Sequence, residues 1–491
     1  MKTTSNLFSL LLIPSIFLGF TSCRPETNET KNLLPNIVLF YVDDLGYGDL
    51  SCYGATLHNT PNIDRLAAEG IRFTNFYAPQ AVCSASRAGM LTGCYPNRVG
   101  ITGALNPFSK IGLNPEEETI AEVLKKKGYI SGIFGKWHLG RPKAFLPLQQ
   151  GFDEYVGVPY SNDMWKYKYD GSIKKQRPDK WGVEQYPELP VLEDNDVIME
   201  LTSVKDQKQL TTLYTERAVE FIEKNKDKPF FTYIPHSMPH VPLAVSQKFS
   251  GKSKQGIYGD VIMEIDWSVG QVVKALERNG LADNTLIIFT SDNGPWINFG
   301  EHAGSAGGLR EGKQSSWEGG QRVPCVMKWP GHTPPGEVCN KIASAIDLLP
   351  TFAAATGAAL PDKKIDGVNI LPLIEGDTTA NPRRVFYYYY GKNNLEGVRK
   401  GRWKLVFPHA YGSYEGMLPG KNGLKGPKVM RTSGLELYDL RRDPGERYNV
   451  IEQHPDIVDE LQKIGEQARK DLGDNITGVE GENRREPGVV L

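Results

Sequence analysis

Short apolar runs, each long enough for one strand, recur along this chain with helix-period segments between them, and that alternation limits the folds open to it. Asn36–Val42 reads NIVLFYV, apolar on both faces, as a strand covered from above and below must be. Thr60-Pro61 opens a helix with an N-capping residue and a proline at the first helical position, and Gly70 offers a stop. Ile71–Tyr77 is the next strand; the amphipathic stretch Glu116–Lys127 then ends at Gly128 and leads into the strand Tyr129–Phe134. Phe230–Pro235 and Thr285–Thr290 repeat the buried-strand pattern, the second after a helix over Val261–Arg278. The alternation predicts an α/β fold with a large mixed, mostly parallel sheet sandwiched by helices. Beyond a boundary near Pro372–Asn381 the pattern changes. Val385–Tyr390, Gly397–Phe407 and Leu435–Leu440 are strands without helices between them, so a smaller antiparallel sheet is expected, closed by a helix over Asp456–Leu472. Asp170–Val204 and Tyr411–Lys428 are polar and Gly/Pro-bearing, as expected of insertions that shape a pocket.

The balance of 57 Lys+Arg against 58 Asp+Glu leaves a net charge of −1, so no whole-molecule field attracts nucleic acid or an anionic membrane. An anion site must be built locally. At the N-terminus, Met1-Lys2, an apolar stretch from Leu7 to Phe20 and Thr21-Ser22-Cys23 read as a signal peptide. The stretch is too short for a membrane span, which takes roughly 20 apolar residues. Cys23 resembles a bacterial lipoprotein processing site and is a candidate for lipidation, and the polar run behind it reads as a tether. The expected divisions are 1–23 signal peptide, 24–34 tether, 35–375 catalytic domain and 376–491 C-terminal α+β subdomain. Export to the periplasm or outer membrane follows, with membrane attachment only through a lipid. Of the remaining cysteines, Cys325 and Cys339 flank a Pro/Gly-rich turn and are either a disulfide or two buried thiols.

Polar clusters sit where the strands end, which is where open α/β sheets bind ligands. Asp43-Asp44-Leu45-Gly46-Tyr47-Gly48 follows the first strand, and Ser291-Asp292-Asn293-Gly294 follows Leu286–Thr290. Paired carboxylates repel a bare anion; hard oxygens suit Ca²⁺ or Mg²⁺. Asp43, Asp44, Asp292 and Asn293 together make an oxygen-rich cage for one hard cation, and the lack of His or Cys among them disfavours zinc.

Cys83-Ser84-Ala85-Ser86-Arg87-Ala88-Gly89-Met90-Leu91-Thr92-Gly93 carries a cysteine with no base beside it in sequence, which a plain thiolate nucleophile would need. The run resembles the signature of the type I, formylglycine-dependent sulfatases, arylsulfatase-like members of the alkaline phosphatase superfamily. Ala85 stands where the commonest form has Pro, and Gly89 where Ala is more usual. The resemblance extends from about Pro35 to about Val450. It implies that a maturation enzyme converts Cys83 to formylglycine (3-oxoalanine), which also contacts the ion held by Asp43, Asp44, Asp292 and Asn293, expected to be one Ca²⁺. Gly135–Gly140 matches the Lys-x-His element, giving Lys136 and His138. Pro239–Leu243 matches the segment of the substrate-side His240, Gly312-Lys313 the second lysine, and Val158–Ser161 the element whose Ser161 contacts the sulfate.

The resemblance also implies a chemistry these residue types suit. A hydrated aldehyde carries two hydroxyls; one attacks sulfur and displaces the sugar alkoxide, and the other expels sulfate as the aldehyde re-forms. Lys136, Lys313, Arg87 and the cation stabilise the charge. Arg87 holds the formylglycine hydroxyls, and Asp292 helps activate the attacking one. His138 is the expected base of the elimination, and His240 and Lys313 are the candidates for protonating the leaving alcohol. His302 is a further candidate substrate contact, and Asn162, Asp163 and Trp165 are candidates for reading sugar hydroxyls. His236 reads as a structural neighbour; His58, His332, His409 and His454 read as surface or structural. The Tyr387–Tyr390 run reads as a partly buried strand rather than a stacking platform, with aromatic edges near a sugar site as the alternative. The expected substrate is a sulfated saccharide, with galactose or N-acetylgalactosamine sulfate favoured by the segment around Ser161. Two alternatives stand beside this: a formylglycine-dependent phosphonate or phosphate ester hydrolase, and an inactive glycan-binding homologue.

Overall fold

The computed structural model describes residues 1–4, 34–174 and 185–490, and residues from 34 onward form one compact unit. The signal-peptide, tether and Cys23 expectations fall almost wholly outside the described residues. No helix among them is long and apolar enough to cross a membrane.

An 11-stranded sheet organises the larger part of the unit. Its order is Glu337–Cys339, Ile71–Tyr77, Arg322–Lys328, Thr285–Ser291, Asn36–Val42, Phe230–Ile234, Ile130–Phe134, Glu154–Gly157, Leu189–Glu193 and Asp196–Leu201, with Ala343–Ser344 also pairing with Ile71–Tyr77. The five central strands from Thr285–Ser291 to Glu154–Gly157 run parallel. Why the first strand is apolar throughout is now plain. Ile37, Leu39 and Tyr41 enter the core on one face, and Val38, Phe40 and Val42 enter the core on the other, all fully buried. Successive side chains of a strand point to opposite faces, and helices cover both.

Several local expectations are corrected, and others are decided between alternatives or made more specific. The helix expected over Glu116–Lys127 is only Ile120–Lys125, because Thr119 caps it and Glu122 closes a capping box. Gly70 is not a left-handed stop; a Cβ there would lie 2.2 Å from the Met327 carbonyl oxygen, so it is a point of close chain approach. The insertion Asp170–Val204 contributes the hairpin Leu189–Glu193/Asp196–Leu201, which extends the sheet edge. Cys325 and Cys339 are free. They pair with Phe73 from opposite sides of one strand, so two strand spacings of about 4.8 Å each separate their backbones, too far for a disulfide.

The C-terminal sheet runs Val385–Tyr390, Asn394–Lys400, Trp403–Val406 and Glu436–Asp439, antiparallel throughout, and the helix Pro455–Leu472 packs on it. The stretch expected as one strand, Gly397–Phe407, is a hairpin that turns at Gly401 (φ +56°). The expected two-sheet α/β architecture is what the structure contains.

Candidate active site

Parallel strands deliver their carboxyl ends to one edge, and here neighbouring strand ends supply one cluster. Val42 and Ser291 are register partners, so Asp43-Asp44 and Asp292-Asn293 leave the sheet side by side. The next strands along release His236–His240, Lys136–His138 and, past Gly157, Ser161. Two glycines allow these loops to touch. A Cβ on Gly135 (φ +145°) would sit 2.1 Å from the Pro235 carbonyl oxygen, and one on Gly157 1.7 Å from that of Gly135. Lys136 N–H then donates to the Pro235 carbonyl at 2.8 Å. Asp44 (φ +65°) and His138 (φ +64°) take the left-handed region. Side chains other than glycine do so at a cost and favour functional sites when they do.

Cys83 is the first residue of the buried helix Cys83–Thr92, which ends at left-handed Gly93. The helix N-terminus and its free N–H groups bring partial positive charge to that residue. Cys83 is 2% exposed, and burial raises its thiol pKa against the pull of Lys136 and Lys313. An unmodified thiol here stays protonated, consistent with the sequence argument against a simple thiolate.

Arg87, one helical turn on, is fully buried. Its Nε and Nη2 donate to Asp292 Oδ2 at 3.0 and 2.8 Å, and Nη1 donates to the Lys136 carbonyl at 2.9 Å. Lys136 Nζ donates to Asp43 Oδ2 and, at 3.1 Å, to Ser161 Oγ. Lys313 Nζ donates to Asp44 Oδ1 at 2.5 Å, as does Asn293 Nδ2 at 2.7 Å. His240 Nε2 lies 3.6 Å from Asp44 Oδ2. His138 Nε2 is 2.8 Å from the Leu105 carbonyl, while its Nδ1 is buried without a partner. Burial, then Lys136, holds His138 well below the ordinary histidine range. Burial would raise Asp43, but Lys136, His240, Arg87 and Lys313 outweigh it and hold that carboxyl below its ordinary range. Asp292 is pushed up by burial and Asp43, against Arg87 and Lys136.

The donor set fits a hard cation. Asp43 Oδ1, Asp44 Oδ2 and Asn293 Oδ1 are buried with no hydrogen-bond partner, a costly state that a cation would relieve. Ligand atoms of Asp43, Asp44 and His240 lie within 4.8 Å of one another. Asp292 is more committed than expected: Oδ2 takes Arg87, and Oδ1 accepts the Asp44 N–H at 3.2 Å.

Not every candidate joins the cluster. His302 is turned edge-on to Tyr169, with ring centroids 4.7 Å apart. Asn162 and Trp165 point into the interior; Asn162 Nδ2 donates to Gln207 Oε1 at 3.0 Å. Those two are therefore withdrawn as sugar readers, whereas Asp163 lines a cavity beside the cluster. His236 bonds Ser268 at 3.0 Å and stacks on Phe40, as a structural neighbour should. Three neighbours were not assigned to the site by the sequence reading, although Tyr390 belongs to a run it singled out. Trp296 lies 5.0 Å under Lys313 Nζ and 5.6 Å from the His240 ring; its place three residues after Asn293 was an available signal. Tyr390 packs on the Cys83 cluster from the far C-terminal sheet, which no local pattern announces. Gln80 is fully buried, three residues before Cys83, with both amide atoms unpartnered.

Comparison with known proteins gives three further findings. Residues 35–358 match the family model described as "Sulfatase", and residues 381–484 match "C-terminal region of aryl-sulfatase". The chain is 40% identical to arylsulfatase A of Homo sapiens over 462 residues, 90% of this chain and 86% of that protein. It is 36% identical to N-acetylgalactosamine-6-sulfatase of Homo sapiens over 457 residues, 88% of this chain and 84% of that one. Among solved structures, PsFucS1 sulfatase from Pseudoalteromonas sp. superposes with a TM-score of 0.79 at 27% identity, covering 92% of each chain.

Proposed function

This chain belongs to the sulfatase family and is a sulfuric ester hydrolase, and from that premise we propose that it removes sulfate from galactose or N-acetylgalactosamine units of a glycan, using a formylglycine made from Cys83 beside one Ca²⁺. The observation that carries the reading is the convergence on buried Cys83 of Lys136, Lys313, Asp43 and Asp292, with Arg87 bound to Asp292 and carboxylate oxygens left unpartnered. The likeness to N-acetylgalactosamine-6-sulfatase supports the sugar class.

Asp43, Asp44, Asn293 and, through Oδ1, Asp292 would hold the ion, with His240 Nε2 close to the same oxygens. When present, the cation neutralises charge on the sulfuryl oxygens, and the formylglycine supplies two hydroxyls on one carbon as nucleophile and as trigger for sulfate release. Lys136 and Lys313 face the same centre from two sides and stabilise negative charge that builds on the sulfate oxygens. Arg87 fixes Asp292 by two contacts to one oxygen and so fixes the carboxylate assigned to activating the attacking hydroxyl. His138 is neutral by burial, and its unpartnered Nδ1 is free to take a proton in the elimination. His240 Nε2 or Lys313 Nζ returns a proton to the departing sugar oxygen. Ser161 Oγ, held by Lys136, meets the sulfate. The division into a catalytic domain over 35–375 and an α+β subdomain over 376–491, export by residues 1–23, and lipidation of Cys23 belong to the same reading.

The test is Cys83→Ser made in a host that does not convert serine, assayed against sulfated and phosphorylated forms of one sugar. The wild type should release sulfate preferentially, and the variant should lose turnover by at least about 10³-fold. Full turnover by the variant would remove the formylglycine mechanism, and preferential phosphate hydrolysis would favour the phosphonate-hydrolase-like alternative.

A further inference from the structure

Beside the catalytic cluster lies a cavity of about 220 Å³ that the chemistry above does not use. Trp296 forms the shared wall: it lies under Lys313 Nζ and against His240, and it also lines the cavity. Asp163, two residues after Ser161, lines it as well, with Oδ1 buried and unpartnered. Two insertions contribute Lys174 and Lys425, Tyr169 stands just ahead of the first, and Val241, Pro242 and Phe299 complete the wall.

The charges of this cavity are unbalanced. Among the described residues, Lys168, Lys174 and Lys425 line it against one carboxylate, that of Asp163, a surplus of two positive charges. Lys174 is largely sequestered, and its ammonium donates at 2.5 Å to the Asp163 backbone carbonyl, which leaves two of its three N–H donors for another acceptor. Burial holds Lys174 below the ordinary lysine range; the Asp163 carboxylate opposes this, and Lys425 adds to it. Two ammonium groups on the lining of one aromatic cavity repel one another, and an anion between them relieves the repulsion. An aromatic wall with adjacent polar groups is, in turn, a surface suited to the apolar face of a sugar ring.

We propose that this cavity is a second saccharide subsite, in which the ring next to the sulfated sugar packs on Trp296 and presents an anionic group, a sulfate or a carboxylate, to Lys174 and Lys425. Asp163 Oδ1 accepts a hydroxyl of the bound saccharide. The proposal rests on the sulfatase reading and narrows it: the substrate is an oligosaccharide with anionic groups on adjacent rings. A lone sulfated monosaccharide fills only the catalytic cluster.

The test compares four substrates carrying the same scissile sulfate: the monosaccharide, a disaccharide with a neutral neighbour, one with a uronate neighbour and one with a sulfated neighbour. For the full-length wild type, kcat/KM should be about tenfold higher for one or both anionic disaccharides than for the neutral one, as one charge-assisted contact provides. The uronate and sulfate arms identify which anion is taken. Lys174→Ala and Lys425→Ala should each raise KM for that disaccharide by roughly three- to tenfold with kcat held, and Lys174→Arg should recover most of the loss. Equal kcat/KM for the neutral and anionic disaccharides, or equal losses by the alanine variants on the monosaccharide, overturns the subsite. Should no arm be hydrolysed, the proposed galactose or N-acetylgalactosamine sulfate substrate fails separately. Calorimetric binding of the sulfated and uronate disaccharides to Cys83→Ser, with and without Lys174→Ala, then decides the subsite: a Kd unchanged by Lys174→Ala rejects it.

Discussion

Arg87 and His236 are both buried beside the same sheet, yet their environments ask opposite things of them. Arg87 must stay charged, because its fork meets Asp292 Oδ2 twice and the Lys136 carbonyl once. Lysine in its place keeps the charge but has neither the planar fork nor the reach to make all three contacts. Arg87→Lys should therefore lower kcat/KM by about 10²-fold, the loss expected when preorganised contacts are removed from a charged site. Kinetics within about threefold of wild type would show that Asp292 needs no such anchor. His236 must instead stay neutral: burial lowers its pKa to about 3. In the unfolded chain the ordinary value is about 6.5, so the unfolded state binds the proton first as pH falls. The stabilising contribution is complete above pH 6.5 and is lost progressively down to about pH 3. Between pH 7 and 5 that amounts to about 2 kcal/mol. His236→Asn should accordingly show a smaller drop in Tm from pH 7 to 5 than the wild type. Equal drops would mean that His236 does not titrate as its burial requires.

At the scale of the element, what could be read in advance is what local chemistry dictates. The apolar runs announced the central strands because both faces of a parallel sheet must be covered. Asp43-Asp44 and Asp292-Asn293 were legible because carboxylates recurring at strand ends fit a cation better than two bland turns, whereas Lys136-x-His138 was legible only through the resemblance to the sulfatase elements. Helix ends were less legible: the amphipathic pattern runs back past Thr119 to Glu116, and only the folded backbone shows that the helix begins after Thr119. Long-range neighbours such as Tyr390 against Cys83 leave no local trace, since they arise when two sheets meet. Gly135 lies between these extremes: a glycine before Lys136 is visible, but its reason is the Pro235 carbonyl 2.1 Å from where a Cβ would be. Gly135→Ala must push two strand ends apart and also strain φ at +145°. The strain alone is of the order of 1–3 kcal/mol. It should lower Tm by several degrees and kcat/KM by about tenfold or more, because Lys136 is carried on the displaced segment. Retention of both would show that the loop relaxes without moving Lys136.

Across the whole molecule, the C-terminal sheet, besides packing Tyr390 on Cys83, is tied to the loop of the reacting centre by a buried charge. Glu318 lies five residues after Lys313 and is completely buried. Its oxygens accept from Tyr77 and Tyr388 at 2.6 Å each and from Lys404 at 3.3 Å, with Arg399 3.8 Å away. Burial would raise this carboxyl, but Lys404, Arg399 and Arg322 prevail and lower it to about 2. Lys404 also meets Glu446 at 2.7 Å and donates to the Ser316 carbonyl at 2.8 Å, so one ammonium fixes the loop that carries Lys313. Lys404→Met leaves the site buried while removing the partner of two carboxyls, which should cost about 3–5 kcal/mol, and kcat/KM should fall with it. Replacing Glu318 by Gln in the same chain removes one of the stranded charges, so the double variant should melt above Lys404→Met alone. A double variant less stable than the single one would mean that Glu318 is held by its tyrosines and arginines and owes nothing to Lys404. Truncation after residue 375 acts differently, because it opens the face to water and relieves the charge. What it uncovers is apolar: Tyr77, Tyr95, Ile342 and Ile346, which pack in the core cluster shared with the C-terminal sheet. It also removes Gly488–Val489, which pair with Ile111–Gly112. Residues 35–375 expressed alone should therefore aggregate, and a soluble, cooperatively melting fragment would show that the larger sheet completes its own core.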